Sequence, residues 1–153
     1  GFGLPGLEWT YSPDTALLAV LIVTIWQGVG WTMVFYLVAL QNIPESLNEA
    51  AMIEGAGRWQ RFRNVTLPLI SPTTFLLFMI TTIGAIQAYD QINVLTQGGP
   101  SGSTTTLLYL YYDAAFQRYN VGEASAVSIV LVLLLATISL ISFYVSRRRV
   151  HYT

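Results

Sequence analysis

The 153-residue chain is 54% hydrophobic and only 10% charged, with a net charge of −1, whereas a soluble domain carries roughly 25% charged residues. That composition excludes an ordinary soluble globular domain, and the charges are segregated along the chain rather than spread over one surface. With no cysteine there is neither a disulfide framework nor a thiolate metal site; with no lysine there is no P-loop, so this segment does not hydrolyse ATP itself.

The opening residues, GFGLPGLEWTYSPD, start without a methionine. They lack the charged start and small-residue cleavage pattern of a signal peptide. The chain is therefore expected to be a C-terminal piece of a longer polytopic protein. No Asp, Glu, Lys or Arg lies between Asp14 and Glu45, between Arg63 and Asp90, or between Glu123 and Arg147. Each gap holds an apolar run that can cross a hydrocarbon core of about 30 Å, for which about 20 helical residues suffice. The predicted fold class is all-α, a polytopic transmembrane helical protein, because an isolated strand in lipid leaves its backbone donors unsatisfied. The spans are predicted at about 16–40, 69–89 and 124–146. Pro68 and Pro72 are placed at the start of the second span, where the first turn has spare N–H groups.

Between the first two spans lies a polar loop, 42–68. Pro44 suits a first-turn position, and Ser46 with Glu49 fits a Ser-x-x-Glu capping box. Leu47, Ala50, Ala51 and Glu54 then share one helical face. Gly55, with Gly57 as a second candidate, ends that helix with a residue free to take a positive φ. RWQRFRN starts a second short helix, with Trp59 and Phe62 one turn apart among Arg58, Arg61 and Arg63. Basic and aromatic residues alone would suit a helix resting on the membrane surface; Glu45, Glu49 and Glu54 point instead to a protein partner.

The outer loop, 90–123, divides in two. Asp90 caps the second span, and DQINVLTQGGPSGSTTT is rich in turn residues. LLYLYYDAAFQRY, 107–119, reads as a short interfacial or re-entrant helix with its tyrosines at headgroup depth. Orientation follows from the arginines. Arg58, Arg61 and Arg63 flank one loop and Arg147, Arg148 and Arg149 follow the last span, while the outer loop sets Arg118 against Asp90, Asp113 and Glu123. The positive-inside rule puts the arginine-rich ends, and the C-terminus, in the cytoplasm.

Glu49-Ala50-Ala51, three residues, Gly55, nine residues, then Val65-x-Leu67-Pro68 resembles the EAA motif of permease subunits in binding-protein-dependent ABC importers, with Val65 in place of isoleucine. WQGVGW, LTQGGP and AAFQRYNVGEASAVS resemble the carbohydrate branch, the relatives of maltose-type permeases. The resemblance covers essentially the whole chain and implies the C-terminal part of one permease domain, 1–153, in a prokaryotic cytoplasmic (inner) membrane. It implies docking of the 42–68 loop on a cytoplasmic ABC ATPase. Glu49 would face a basic group, Ala50 and Ala51 would allow close approach, Gly55 would make the turn, and Arg58, Leu67 and Pro68 would complete the coupling set. It further implies a second, related permease subunit and an extracytoplasmic solute-binding protein, with Gly98, Gly99 and Pro100 as contacts for the latter. ATP and Mg belong to the partner ATPase, and no cofactor is expected in this chain.

Polar residues within spans are costly unless they face protein or water. Gln27 and Trp31, with Gln87 and Tyr89, supply the amide, hydroxyl and aromatic types that a sugar site uses; helix contacts or an aromatic belt would use the same types. Gly28 and Gly30 suit close helix packing. A serine protease is excluded, because Ser101 of GPSG and His151 fall on opposite membrane faces. One histidine makes no metal site, and the Arg147–Arg149 run is a topology anchor with headgroup binding as a second role. The function expected is a transport subunit for a sugar or sugar-like solute. The alternatives are a permease for an oligopeptide or amino acid, or a scaffold or sensor that docks an ATPase without transporting.

Overall fold

The computed structural model describes residues 9–149, with side chains as far as Tyr144. His151 lies outside the described residues, as do the side chains of Arg147, Arg148 and Arg149. Among the described residues every regular element is helical. In order these are α1 (Pro13–Gln41), α2 (Glu45–Ile53), α3 (Arg58–Arg61), a π-helical turn at Phe62–Thr66, and α4 (Leu67–Ile86). There follow α5 (Asp90–Leu95), α6 (Leu107–Tyr112), a second π-turn at Asp113–Gln117, and α7 (Val121–Arg149).

Three stretches are long and apolar enough to cross a membrane: Pro13–Gln41, Arg58–Ile86 and Val121–Tyr144. At 1.5 Å per residue, each of the first two extends about 44 Å, well beyond a hydrocarbon core of about 30 Å. α1 begins where local chemistry favours it. The Ser12 carbonyl accepts from the Ala16 N–H at 2.9 Å, Pro13 has no N–H to leave orphaned, and Asp14 sits in the positive first turn. α7 is capped by Asn120, whose Oδ1 accepts from the Glu123 N–H at 3.2 Å.

The chain groups into two compact units. The first draws on residues up to Gly28 and on Thr82–Ile138; the second draws on Val29–Thr81 and residues from Ser139. In the first, Ala16, Val20, Ile92, Ala114, Ala124 and Leu131 are buried, together with Thr104; in the second, Ile70 and Leu77 are. In the most apolar 18 residues of each of the three spans, only 6%, 11% and 11% are buried. Their apolar surface is therefore left for lipid or for further protein, which is the state expected of spans whose apolar residues run all round the helix.

Several expectations are corrected. Residues 58–63 do not form a separate short helix. They open the second span, which runs unbroken from Arg58 to Ile86. Pro68 and Pro72 are consequently inside a long helix rather than in its first turn. A proline there would drive its ring into the carbonyl four residues back. The π-turn relieves this by widening the ladder just before Pro68, with the Leu67 N–H donating to the Phe62 carbonyl. The Pro68 carbonyl, which Pro72 cannot serve, accepts instead from the Ser71 hydroxyl at 2.7 Å. The Ser46–Glu49 capping box does not form, because α2 starts one residue earlier, at Glu45, with Pro44 as its N-cap and no side-chain cap. The reciprocal bond is found at the next helix start, where Gln60 Oε1 accepts from the Gly57 N–H at 2.9 Å. Asp90 does not cap the second span; that helix ends at Ile86 and Asp90 opens α5.

Two glycines are required by φ. Gly55 has φ +80 with nothing within 4 Å of the place a Cβ would occupy, whereas at Gly98, with φ +79, a Cβ would meet Tyr109 Cε1 at 2.7 Å and Thr105 Oγ1 at 3.1 Å. The Tyr109 ring is not free to move, because its hydroxyl donates to the Gln97 carbonyl at 2.8 Å. Gly55→Ala should therefore cost only the left-handed backbone penalty, roughly 1–2 kcal/mol. Gly98→Ala should add overpacking of about 1–3 kcal/mol. Thermal unfolding of the full-length protein checks the order; equal drops in Tm would show that Tyr109 yields without cost.

Candidate functional site

α2 carries Glu45 and Glu49 at its start and middle, Glu54 is its C-cap, and the helix has no buried residue. Its apolar side chains are uncovered as well, with Met52 57% and Ile53 88% exposed. The helix stops in a Schellman motif. The Ala56 N–H donates to the Ala51 carbonyl at 2.9 Å and the Gly55 N–H to the Met52 carbonyl at 3.0 Å, a geometry that demands the left-handed residue at 55. Glu49, Ala50 and Gly55 are exposed and Ala51 is half-buried. This part of the predicted set lies together on one short, unpartnered element. Arg58 is not on α2; it is the first residue of the spanning helix. Leu67 and Pro68 sit at the end of the π-turn, where that helix returns to α geometry.

The four solute-path candidates are divided. Gln27 accepts from Gln91 Nε2 at 2.8 Å, and the two amides line a concavity of about 270 Å³ with Val23, Asp90, Val94 and Leu95. Gln87 lines another, of about 210 Å³, with Tyr111 and Ser128 among otherwise apolar walls. Tyr89 belongs to neither. Its ring lies 4.5 Å from that of Tyr112 and 6.0 Å from that of Tyr109. Trp31 packs on Phe35, one turn along α1, at 4.5 Å. Gln27 with Gln91 thus has the form of a polar site, an amide pair beside an open concavity, while Tyr89 is part of an aromatic cluster.

The Gly98–Pro100 turn is tied from within by threonines. Thr104 Oγ1 donates to the Gly99 carbonyl at 2.9 Å and lies 2.7 Å from Thr96 Oγ1. Thr105 Oγ1 donates to the Gly98 carbonyl at 3.2 Å, and Thr106 Oγ1 to the Ala88 carbonyl at 2.8 Å. Gly98 is buried, so it supports the turn rather than offering a surface. Gly99 and Pro100 line an open groove of about 380 Å³ with Thr10, Tyr11 and Val94–Gln97.

One constellation was not predicted. Arg118 donates through Nε to Asp113 Oδ2 at 2.6 Å, and through both Nη atoms to the two oxygens of Glu123 at 2.7 and 2.9 Å. Its backbone N–H also donates to the Asp113 carbonyl at 2.8 Å, which closes the second π-turn. Bonding to Glu123 first, and to Asp113 second, raises the guanidinium pKa above its ordinary value. The spacing Asp-x4-Arg-x4-Glu was visible in the sequence, but neither five-residue separation is the three or four of a helical pair. The π-turn and the break before α7 bring both acids to the arginine.

The sequence from residue 4 to residue 152 matches the family described as binding-protein-dependent transport system inner membrane component. The chain is 37% identical over 153 residues to the sn-glycerol-3-phosphate transport system permease protein UgpA of Pectobacterium atrosepticum, covering 98% of this chain and 52% of that one. It is 38% identical to the lactose transport system permease protein LacF of Rhizobium radiobacter, covering 94% and 49%. It is 36% identical to the trehalose/maltose transport system permease protein MalF of Thermococcus litoralis, covering 96% and 50%. The chain therefore spans about half the length of these relatives. Its fold matches a chain in the crystal structure of a bacterial ABC transporter involved in import of the acidic polysaccharide alginate, with a TM-score of 0.83 at 27% identity, over 95% of this chain and 51% of that one.

Tyr89 provides a test of the aromatic cluster. Burial, then the hydrogen bond with Tyr112, pushes its hydroxyl from 10.0 up to about 12. Because the folded value is the higher one, the stabilisation is complete below the unfolded pKa and is lost as pH rises through the interval from about 10 to about 12. The Tm of the full-length protein should fall across that interval, and Tyr89→Phe should make the fall shallower. An unchanged slope in Tyr89→Phe would show that the cluster does not hold the Tyr89 proton.

Proposed function

This chain belongs to the family of binding-protein-dependent transport system inner membrane components, and from that premise we propose that it is half of a permease subunit of an ATP-driven importer for a sugar or sugar-like solute. Its three apolar helices and its family make it a multi-pass protein of the inner membrane. The arginine distribution supports a cytoplasmic C-terminus. The relatives above are named for glycerol phosphate, lactose and trehalose/maltose, which does not favour the peptide, amino-acid or scaffold alternatives.

The observation that carries the proposal is an acidic helix with nothing buried, joined by a two-bond glycine stop to a helix that is itself a membrane span. α2 supplies Glu49 for a basic group and Ala50 and Ala51 for close approach, and its docking partner is a separate ATPase subunit that holds ATP and Mg. Only residues 54–57 separate α2 from the helix that starts at Arg58. Displacement of α2 therefore reaches the second span with no long loop to absorb it. The π-turn before Leu67 and Pro68 is the one place where that lever departs from α geometry, and it is where bending would be taken up. Closure of two ATPase subunits would then rock this permease against a second, related one between inward- and outward-facing states. A solute-binding protein would deliver solute over Gly99 and Pro100, and the Gln27–Gln91 amides would meet its hydroxyls in the pathway.

The test uses the full-length protein reconstituted with its partner permease, ATPase and binding protein, over a panel of sugars and sn-glycerol-3-phosphate. One solute should stimulate ATP hydrolysis. Glu49→Lys should lose that stimulation at least about tenfold, the scale of a buried charge pair turned repulsive, while the permease pair stays assembled. Stimulation that survives Glu49→Lys and Gly55→Pro together would remove the coupling role. Gln27→Ala should raise the KM for transport without changing basal hydrolysis; an unchanged KM would remove Gln27 from the pathway.

A further inference from the structure

The polar loop holds two charge clusters of opposite sign that ignore one another. Glu45, Glu49 and Glu54 belong to α2 and its C-cap, while Arg58, Arg61 and Arg63 follow within the next residues. Glu54 and Arg58 are four apart, yet the glycine turn at 55 breaks the helix between them and no ion pair forms. Among the described residues the ion pairs join Arg118 to Asp113 and Glu123, and none joins Arg58, Arg61 or Arg63 to a carboxylate. Three guanidinium groups on one short segment, without an internal anion, are left available to an external one.

The surroundings of these arginines indicate which. Trp59 is 71% exposed and Phe62 43% exposed, and their rings stack at 5.6 Å. At 3.6 residues per turn, Arg58, Phe62, Trp59 and Arg63 follow one another around the helix within about 140°, so the aromatic pair is flanked by an arginine on each side. Arg58 and Arg63 are exposed, and Arg61 Nε is shut off from solvent without an acceptor. The helix carrying them continues as a span to Ile86. Its uncharged stretch after Arg63 is on the order of 20 residues, enough by itself for the hydrocarbon. Residues 58–63 therefore emerge at headgroup depth, where tryptophan rings settle and arginine reaches phosphate.

We infer that Arg58, Trp59, Phe62 and Arg63 form a seat for an anionic phospholipid headgroup at the membrane surface from which the second span emerges. The aromatic pair lies at the acyl-glycerol boundary and the two guanidinium groups hold the phosphate and a further negative charge. The acids of α2 are repelled from the same surface, which keeps that helix away from lipid and available to protein. The inference needs only that the Arg58–Ile86 helix spans the bilayer, not that the chain transports a solute.

The full-length protein is reconstituted in bilayers in which either phosphatidylglycerol or phosphatidylcholine carries brominated chains, at equal mole fraction. The emission of Trp59 is taken as the difference from Trp59→Phe. Brominated phosphatidylglycerol should associate about thirtyfold more strongly than phosphatidylcholine, the scale set by two basic groups at an anionic surface. Arg58→Gln with Arg63→Gln should abolish the preference, and the matching pair of lysine substitutions should retain it. Millimolar inorganic phosphate should leave the quenching unchanged. Equal quenching by the two lipids overturns the inference. Quenching by neither means that a protein surface covers the face, and displacement by free phosphate means that the site reads a soluble anion; each result overturns it too.

Discussion

Inside a bilayer a backbone N–H has no water to turn to, and each unsatisfied group costs several kcal/mol. This constraint accounts for more of the chain than any single side-chain contact does. It makes every span a helix, and it dictates how the chain handles exceptions. Pro68 and Pro72 would each open a gap in the ladder of the second span. The chain answers with a π-turn ahead of Pro68 and with the Ser71 hydroxyl on the Pro68 carbonyl. Outside the spans the same need arises from burial in protein: in the turn around Gly98, which is itself buried, threonine hydroxyls serve the carbonyls of Gly98, Gly99 and Ala88.

The same constraint explains what could be read from sequence. The three spans were legible because a charge-free run of the right length has few other fates in so apolar a chain. Gly55 was legible because a glycine after an amphipathic run is the common way to stop a helix. The continuity of residues 58–86 was hidden, since three arginines and two prolines are usual signs of a boundary; the π-turn that reconciles them is a property of the backbone, with no residue-type signature. The Ser46–Glu49 box failed for a local reason. α2 begins at Glu45, one residue too early for Ser46 to be the N-cap. The Arg118 clamp depends on a π-turn and a helix start that bring together residues whose sequence separation suggested no contact.

Candidate site residues were legible in type more than in arrangement. Gln27 was singled out as a polar residue in a span, and the structure gives it an amide partner, Gln91, in a segment expected to be a turn. That segment is α5, whose Ile92 is almost fully buried. A six-residue helix has too few turns to show a period, so only the tertiary setting reveals it. Gly98 illustrates the opposite error. It was grouped with Gly99 and Pro100 by adjacency, yet its burial against Tyr109 makes it a support for the surface that the other two form.

The charges of the chain show one further consequence of the medium. Arg118 spends its guanidinium on two carboxylates of its own unit, and that cluster is satisfied where it stands. Among the described residues, the acids of α2 and the arginines of residues 58–63 are left without an ion-pair partner on either side of a glycine turn. Pairing them would have been simple in sequence, because Glu54 and Arg58 have the spacing of a helical ion pair. The glycine forfeits that pair, worth only a few tenths of a kcal/mol at a surface, and in exchange separates a surface suited to a basic protein cleft from one suited to an anionic membrane. In the proposed lever, the membrane-facing part fixes where the second span begins. The protein-facing part is then free to be moved relative to it, and motion at α2 has a fixed point against which to act.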